Sequence, residues 1–300
     1  MRCKRFAIAM FLILYLLGIF CCFPSERALA DDIAMRTATV CYVSNSSRLD
    51  QLQCLDVYSN RDARNWPVVV MIHGGAWRSG DKSQPQNGRD KARFLLANGF
   101  VFVSVNYRLA PEFGHPSQIK DIAAALAWVS KNISKYGGNP AKVIVMGHSA
   151  GAHLACLAVT NQKFLKDAGF DVANVCGCIL LDAPTFNVVV KNRYGNFSHN
   201  SEIIDDTIFG VTEDQRKEAS PALHIAENSY IPTFLALSTP QYLYSKYQAK
   251  QFVRDLNSVR HKAEYFFISH KNHVALNSEF GVKKDWVTAK VLAFLNRATR

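Results

Sequence analysis

The chain has 300 residues, of which 49% are hydrophobic, and carries a formal net charge of +11 at neutral pH. This length and composition suffice for one large buried core, so we expect one folded domain. No block of Lys and Arg with interleaved aromatic residues indicates a nucleic-acid partner, and we interpret the charge as solvated surface, with anionic polymers or membrane surfaces as alternatives.

The N-terminus has the pattern of an export signal. Arg2, Lys4 and Arg5 precede an apolar run at 6–23, and Ala28-Leu29-Ala30 matches the small-residue pattern that signal peptidases cleave. We therefore predict a signal peptide over 1–30 and a folded domain over 31–300, located in the periplasm or secreted. About 18 apolar residues also suffice to span a bilayer, so an uncleaved membrane anchor is the alternative.

Two cysteines flank the first predicted turn. Cys41 and Cys54 lie on two early strands joined near 46–50, where facing positions come within disulfide reach. A disulfide and a pair of buried thiols both remain open from the sequence. The cysteines do not have the spacing of a zinc site, and no metal or cofactor is predicted.

The rest of the chain alternates short β-rich runs with stretches of helical periodicity. This pattern is typical of an α/β fold with a mostly parallel central sheet and helices on both faces. The first two strands, at 37–43 and 51–58, form an antiparallel pair. Further strands are predicted at 68–73, 100–106, 142–146, 175–181, 233–237 and 264–268, and helices at 119–135, 150–159, 246–256 and 285–295.

The longest irregular stretch follows the strand at 175–181. Residues 186–228 are rich in Asn, Asp, Ser and aromatic side chains, which predicts a small cap inserted into the domain. We interpret Trp77, Phe186, Tyr194 and Phe197 first as ordinary core residues, with the lining of an apolar pocket as the alternative.

A candidate nucleophile lies between a predicted strand and a predicted helix. Ser149 occupies the centre of Gly147-His148-Ser149-Ala150-Gly151, and such a strand-to-helix turn exposes a serine hydroxyl in strained backbone geometry. The amide of Ala150, at the helix N-terminus, is placed to stabilise negative charge on a carbonyl oxygen. Gly74 and Gly75, with Ala76 as a further option, follow the strand at 68–73 and are predicted to supply the other oxyanion donors.

A serine nucleophile needs a base, usually a histidine, and position in the chain reduces the number of candidate histidines. His73 and His148 belong to the loops that build the site, and His153 lies one helical turn after Ser149, so we interpret these three as structural. His270 and His273 follow the last strand, as the serine, acid, histidine order of this architecture requires. We prefer His273 because it lies further out in the loop.

Three sequence runs carry a resemblance to a known family. The runs are His-Gly-Gly-Ala-Trp-Arg-Ser-Gly-Asp-Lys at 73–82, Asn-Tyr-Arg-Leu-Ala-Pro-Glu at 106–112 and the pentapeptide around Ser149. They resemble the hormone-sensitive-lipase-like α/β hydrolases, in particular feruloyl-esterase-like carboxylesterases and kynurenine-formamidase-like enzymes. The resemblance implies the α/β-hydrolase fold, favours His273 in the family's histidine loop, and makes Arg108 and Glu112 scaffold residues.

The sequence departs from this family at the triad acid. Family members place an aspartate after the strand that here is 233–237, but residues 238–245 contain no carboxylate. Gln241 or Tyr244 could occupy that place without supplying a charge. Asp182, directly after the strand at 175–181, is our first candidate. Asp205 or Asp206 from the cap, and a triad without an acid, remain open.

These residues favour hydrolysis of carboxylic esters through an acyl-enzyme, with small-molecule or polymer-linked substrates. An amide or formamide hydrolase of the kynurenine-formamidase type uses the same machinery. A catalytically weakened, hydrolase-like binding module is a further alternative, motivated by the missing loop acid. The N-terminal segment could associate with a membrane, and the oligomeric state is not predicted.

Overall fold

A computed structural model describes residues 34–43, 48–189, 206–241, 243–282 and 285–300. The predicted leader, Asp205, Tyr194 and Phe197 lie outside these ranges, as do the side chains of Leu243 and Tyr244. Within the described ranges, no helix combines the length and the hydropathy needed to cross a membrane.

Eight strands form one sheet with the order β1-β2-β4-β3-β5-β6-β7-β8. β1 pairs with β2 and β2 with β4 in antiparallel fashion, and every later pairing is parallel. The predicted sheet is therefore confirmed. The strands are β1 Met35–Cys41, β2 Cys54–Asn60, β3 Trp66–Ile72, β4 Val101–Val105, β5 Gly138–His148, β6 Val175–Leu181, β7 Thr233–Ser238 and β8 Ala263–Phe267.

Helices cover both faces of the sheet. Those of the described chain are α1 Arg89–Ala97, α2 Ser117–Asn132, α3 Ala150–Thr160, α4 Lys163–Asp167, α5 Asp206–Phe209, α6 Glu213–Glu218, α7 Leu243–Ser258, α8 His273–Ser278 and α9 Trp286–Ala298. α2, α3 and α7 share a core cluster with alternate β3 residues, Val68, Val70 and Ile72. On the opposite face, Phe294 of α9 lies against Gly177 of β6. The central strands are buried on both faces, which explains their nearly continuous apolar sequence.

The first hairpin is closed by a disulfide between Cys41 and Cys54, which face each other in the β1–β2 register. This resolves the alternative that the sequence left open. The hairpin differs from the prediction in its boundaries, because Arg48–Gln53 forms a 3₁₀ turn where the second strand was expected to begin.

Two other elements differ from the sequence-based expectation. Helix α1 was not predicted because its sequence, Arg-Asp-Lys-Ala-Arg-Phe-Leu-Leu-Ala, is polar in its first half. Strand β5 extends in both directions beyond the predicted 142–146, because pairing with β3 and β6 holds the flanking residues in the sheet.

The predicted cap lies between β6 and β7. Its described part contains α5, α6 and a 3₁₀ turn at Pro221–His224, while 190–205 lies outside the described residues. Phe209 of α5 packs edge-on against Trp77, with ring centroids 4.9 Å apart. This segment therefore contacts the loop that follows β3.

Candidate active site

Ser149 lies in the turn between β5 and α3. Its backbone has φ 54° and ψ −124°, a strained conformation for a residue with a side chain. The amide N–H of Ser149 donates to the carbonyl of Leu181 at the end of β6, at 2.9 Å. The neighbouring strand therefore holds the turn in place, as the strand-to-helix prediction required.

The glycines of the pentapeptide allow this turn to form. A Cβ on Gly147 would lie 2.1 Å from the carbonyl oxygen of Gly151. A Cβ on Gly151 would lie 2.1 Å from the carbonyl oxygen of Ile72 in β3. Both positions exclude any side chain, so the geometry around Ser149 depends on backbone atoms packed directly against each other.

The loop after β3 brings bare backbone to the same place. A Cβ on Gly74 would lie 2.9 Å from both Ser149 Cβ and the carbonyl oxygen of His148. The carbonyl of Gly75 accepts from the amides of Arg78 and Ser79, each at 3.0 Å, which closes the loop on itself. The predicted oxyanion residues Gly74 and Gly75 thus belong to a compact loop that touches the nucleophile turn.

Two of the aromatic residues singled out in the sequence lie in the core. Trp77 is 2% exposed and packs against His153 and Phe209. Phe186 is 1% exposed and stacks on Phe252 of α7. Core packing, the favoured interpretation, is therefore confirmed for Trp77 and Phe186, because the cap covers the first ring and helix α7 covers the second.

Asp182 follows β6 directly, and its carboxylate reaches the imidazole of His273. The distance between Asp182 Oδ2 and His273 Nδ1 is 2.8 Å. Asp182 is fully buried, and His273 is 8% exposed at the first residue of α8. Because the carboxylate can only accept a hydrogen bond, Nδ1 of a neutral His273 ring carries the proton, and Nε2 is left as an acceptor.

The loop after β7 supports this pair without a carboxylate of its own. Thr239 donates to Asp182 twice, from its amide at 3.0 Å and from its hydroxyl at 2.6 Å. Gln241 accepts the amide N–H of His273 at 3.1 Å. The loop therefore holds both members of the pair, and Thr239 stabilises a charge that burial alone would disfavour.

His148 connects His273 to the turn that holds Ser149. Its Nε2 donates to the backbone carbonyl of His273 at 3.0 Å, and the two ring centroids lie 4.4 Å apart. Burial, together with the nearby His273 ring, lowers the pKa of His148 to about 3, so His148 is neutral at physiological pH. These contacts place His273 against the residue that directly precedes Ser149 in the chain.

A buried lysine holds the far end of helix α8. Lys91 of α1 has no exposed surface, and its amine donates to the backbone carbonyl of Asn277. The same amine lies 5.1 Å from the centroid of the Phe280 ring. Burial lowers the pKa of Lys91 to about 7.

The remaining sequence candidates have other surroundings. His270 is exposed in the turn before α8, Asp206 pairs with Arg216, and Glu112 is exposed. His153 is buried, and its Nε2 donates to the carbonyl of Ala219, 2.9 Å away. No contact that the structure describes brings the side chain of any of these four residues to Ser149.

Arg108 behaves as the predicted scaffold residue. Its guanidinium makes two hydrogen bonds to Asp121 at the start of α2, both 2.8 Å long. Within the described ranges, no cluster of three His, Cys, Asp or Glu side chains is suited to a metal ion.

The family model BD-FAE matches residues 55–256, which is more than half of the chain. This match covers the nucleophile turn, the loop after β3 and Asp182. The chain belongs to the BD-FAE family. The expected relationship to α/β-hydrolase carboxylesterases is thereby confirmed.

Curated relatives of this BD-FAE family member carry esterase names. Esterase LipQ of Mycobacterium tuberculosis is 40% identical over 139 residues, 45% of this chain and 32% of LipQ. Probable carboxylic ester hydrolase LipM of the same organism is 30% identical over 204 residues, 64% of this chain and 45% of LipM. The chain thus spans between about a third and a half of the length of these relatives.

Solved esterase structures share the fold. Esterase B from Lactobacillus rhamnosis superposes with a TM-score of 0.71 at 20% identity, covering 91% of this chain and 90% of that one. A hyperthermophilic esterase from Pyrobaculum calidifontis gives 0.71 at 22% identity, covering 91% and 89%. The predicted α/β-hydrolase fold is therefore confirmed.

Sequence reasoning missed two groups in this site. Thr239 was passed over because the search in that loop was for a carboxylate. Its position directly after β7, the neighbour of β6, could have indicated a donor to Asp182. Lys91 had no signal, because a lysine in a polar helix ordinarily faces solvent.

Proposed function

We propose that this chain is a carboxylic ester hydrolase that works through an acyl-enzyme on Ser149. The observation that carries the proposal is the 2.8 Å contact between buried Asp182 and His273, beside the strained turn that holds Ser149. The names of the curated esterases support the ester bond as the target. The Ser149 hydroxyl needs the Asp182–His273 pair, because a hydroxyl without a base is a weak nucleophile.

In the acylation step, Nε2 of His273 accepts the proton of Ser149 as Oγ attacks the carbonyl carbon of the ester. Asp182 keeps the proton of His273 on Nδ1 and stabilises the positive imidazolium that forms. Two hydrogen bonds from Thr239 compensate the buried carboxylate of Asp182 for the solvent contacts that it has lost. The imidazolium then gives its proton to the departing alcohol.

The negative charge on the carbonyl oxygen is assigned to backbone amides. Ala150 begins helix α3, where the amide and the helix dipole favour an anion. Gly74 and Gly75 are the proposed donors from the other side, supported by the close approach of Gly74 to Ser149 Cβ. Water then attacks the acyl-enzyme with His273 as the base, which releases the acid and restores Ser149.

Two alternatives are weaker on these observations. An amide or formamide substrate suits the same groups, but the esterase names of the relatives favour an ester. The binding-module hypothesis rested on the absent acid after β7. Asp182 removes its motivation, since a buried carboxylate contacts the imidazole from the β6 side.

We also propose that the domain functions outside the cytoplasm. The leader pattern at 1–30 supports export. The Cys41–Cys54 disulfide supports it independently, because such bonds persist in oxidising compartments and are rare in reducing ones.

A fluorophosphonate probe tests the nucleophile. We expect one probe per folded chain, no labelling of Ser149→Ala, and loss of about 10⁶-fold in turnover of a short-chain nitrophenyl ester in that variant. Ser83→Ala, a serine in the exposed turn after Lys82, serves as the control and keeps full labelling. Labelling that persists in Ser149→Ala, or a folded wild-type chain that takes no probe, would contradict the proposal.

A further inference from the structure

The positive charge of the chain is concentrated near its C-terminus. Residues 243–300 contain 11 Lys and Arg but 4 Asp and Glu, an excess of seven out of the total of +11. This segment forms α7, β8, α8 and α9, and β8 is the edge strand of the sheet beside β7. The excess of positive charge therefore falls, in sequence, on the segment that contains this edge strand.

The same end exposes large aromatic side chains beside lysines. Tyr247 is 59% exposed and Phe267 is 40% exposed. The amine of Lys246 lies 4.2 Å from the Phe267 ring centroid and 5.7 Å from that of Tyr247. Lysine and aromatic groups thus form one contiguous cluster on this side of β8.

A second cluster flanks the strand on the other side. Trp286, at the start of α9, is 45% exposed and packs edge-on against Phe266 with centroids 5.3 Å apart. The amine of Lys290 lies 5.2 Å from the Phe266 ring and 5.3 Å from the Trp286 ring. Phe266 and Phe267 are consecutive on β8, so the clusters meet at the edge strand. We call Lys246, Tyr247, Phe266, Phe267, Trp286 and Lys290 the β8 edge surface.

The β8 edge surface lies toward the carboxyl ends of the parallel strands, where the proposed active site also lies. Phe266 and Phe267 are the last residues of β8, and Tyr247 lies in the first turns of α7, soon after β7 ends. Ser149 and Asp182 likewise follow the carboxyl ends of β5 and β6. In a parallel sheet these ends point in the same direction.

We propose that the β8 edge surface docks this chain on an anionic lipid bilayer. Tyr and Trp favour the boundary between lipid and water, because their rings are apolar and carry a polar group. Lys246 and Lys290 supply attraction to anionic headgroups. Resting on the proposed function, the docked orientation would present the active-site edge to ester substrates held in the bilayer.

Two features favour a bilayer over other anionic or protein partners. The rings of Tyr247, Phe267 and Trp286 on the β8 edge surface are exposed, and they gain free energy at the boundary of a bilayer, which a charged polymer does not offer. Lysines beside an edge strand disfavour pairing of that edge with a second copy, since like charges would meet. An anionic bilayer satisfies both the charge and the exposed apolar area.

Vesicle co-sedimentation tests the docking. Every protein is the full chain carrying Ile13→Asp and Leu17→Asp, which make the apolar run at 6–23 too polar to insert. Vesicles of phosphatidylcholine alone are compared with vesicles containing equal parts of phosphatidylcholine and phosphatidylglycerol. We expect binding to the anionic vesicles, and weakening by at least about 20-fold in Lys246→Glu/Lys290→Glu.

The matched control reverses two other exposed lysines. Lys131→Glu/Lys135→Glu makes the same change in net charge near the end of α2, and we expect its affinity to stay within about twofold of wild type. Trp286→Phe is expected to bind anionic vesicles while losing the blue shift of tryptophan fluorescence that binding causes. That result would place position 286 at the membrane boundary.

Several outcomes would overturn the docking proposal. These are equal weakening by the control pair, equal binding to neutral vesicles, no vesicle binding, preferential binding of an acidic polysaccharide or of nucleic acid, and a dimer that Lys246→Glu/Lys290→Glu dissociates. Ser149→Ala is expected to bind vesicles like wild type. Failure of docking therefore leaves hydrolysis untouched, and failure of hydrolysis leaves docking measurable.

Discussion

Around Ser149 the geometry is imposed by backbone atoms, whereas around His273 it is imposed by side-chain hydrogen bonds. Gly147, Gly151 and Gly74 have no room for a Cβ, so the nucleophile turn is a steric arrangement. Asp182 and His273 are held by donors and acceptors from other loops. The first region therefore has a strict local sequence requirement, while the second tolerates a change in which strand supplies the acid.

The largest effect is expected on the steric side. Gly151→Ala places a Cβ against the carbonyl of Ile72, so we expect a loss of about 3 kcal/mol or more in the free energy of unfolding, with esterase activity below detection. Urea unfolding and nitrophenyl ester turnover measure both. Gly169→Ala is the control, because no atom lies within 4 Å of the added Cβ and only the cost of its positive φ remains. Comparable losses in the two variants would refute the steric explanation.

The hydrogen-bonded side is expected to lose catalysis and keep the fold. Asp182→Asn preserves size but no longer fixes the proton of His273 on Nδ1, so we expect turnover to fall by about 10⁴-fold. Steady-state kinetics with a circular dichroism melt measure this. Asp56→Asn is the control, since Asp56 is also buried and accepts a threonine hydroxyl, from Thr39 at 2.7 Å, but lies on β2. Unchanged turnover in Asp182→Asn would exclude the acid assigned here.

The smallest effect concerns Lys91, which holds the far end of helix α8. Burial lowers its pKa from 10.5 to about 7, so between these values the folded state binds fewer protons than the unfolded state. Stability of the wild type therefore rises with pH in this window. Lys91→Met has no amine to titrate, so it lacks this gain. The difference in free energy of unfolding, variant minus wild type, should therefore fall by about 2 kcal/mol between pH 7 and pH 9. Urea unfolding at several pH values measures both proteins. If the free energies of unfolding of wild type and variant change with pH in parallel, the lowered pKa of Lys91 is contradicted.

Much of the architecture could be predicted because the order of polar and apolar residues within short segments indicates strands and helices. Strand β6 was predicted with its observed bounds, and β7 to within one residue, since short apolar runs between turn signals are typical of buried parallel strands. Helix α1 was missed because the first half of its sequence is polar, and the start of β2 was misplaced because a 3₁₀ turn occupies 48–53. Tertiary packing decides such marginal segments.

The sequence by itself determined the strained turn at Ser149 and the glycine loop after β3, because each is a short run of small residues with a specific steric use. It also supplied His273 as the proposed base. Only the tertiary structure decided which carboxylate reaches His273, since Asp182 and Thr239 are separated by 57 positions and meet because β6 and β7 are neighbours. The same holds for the bonded Cys41–Cys54 pair and for the buried Lys91. Contacts of this kind depend on strand order, which composition and periodicity do not encode.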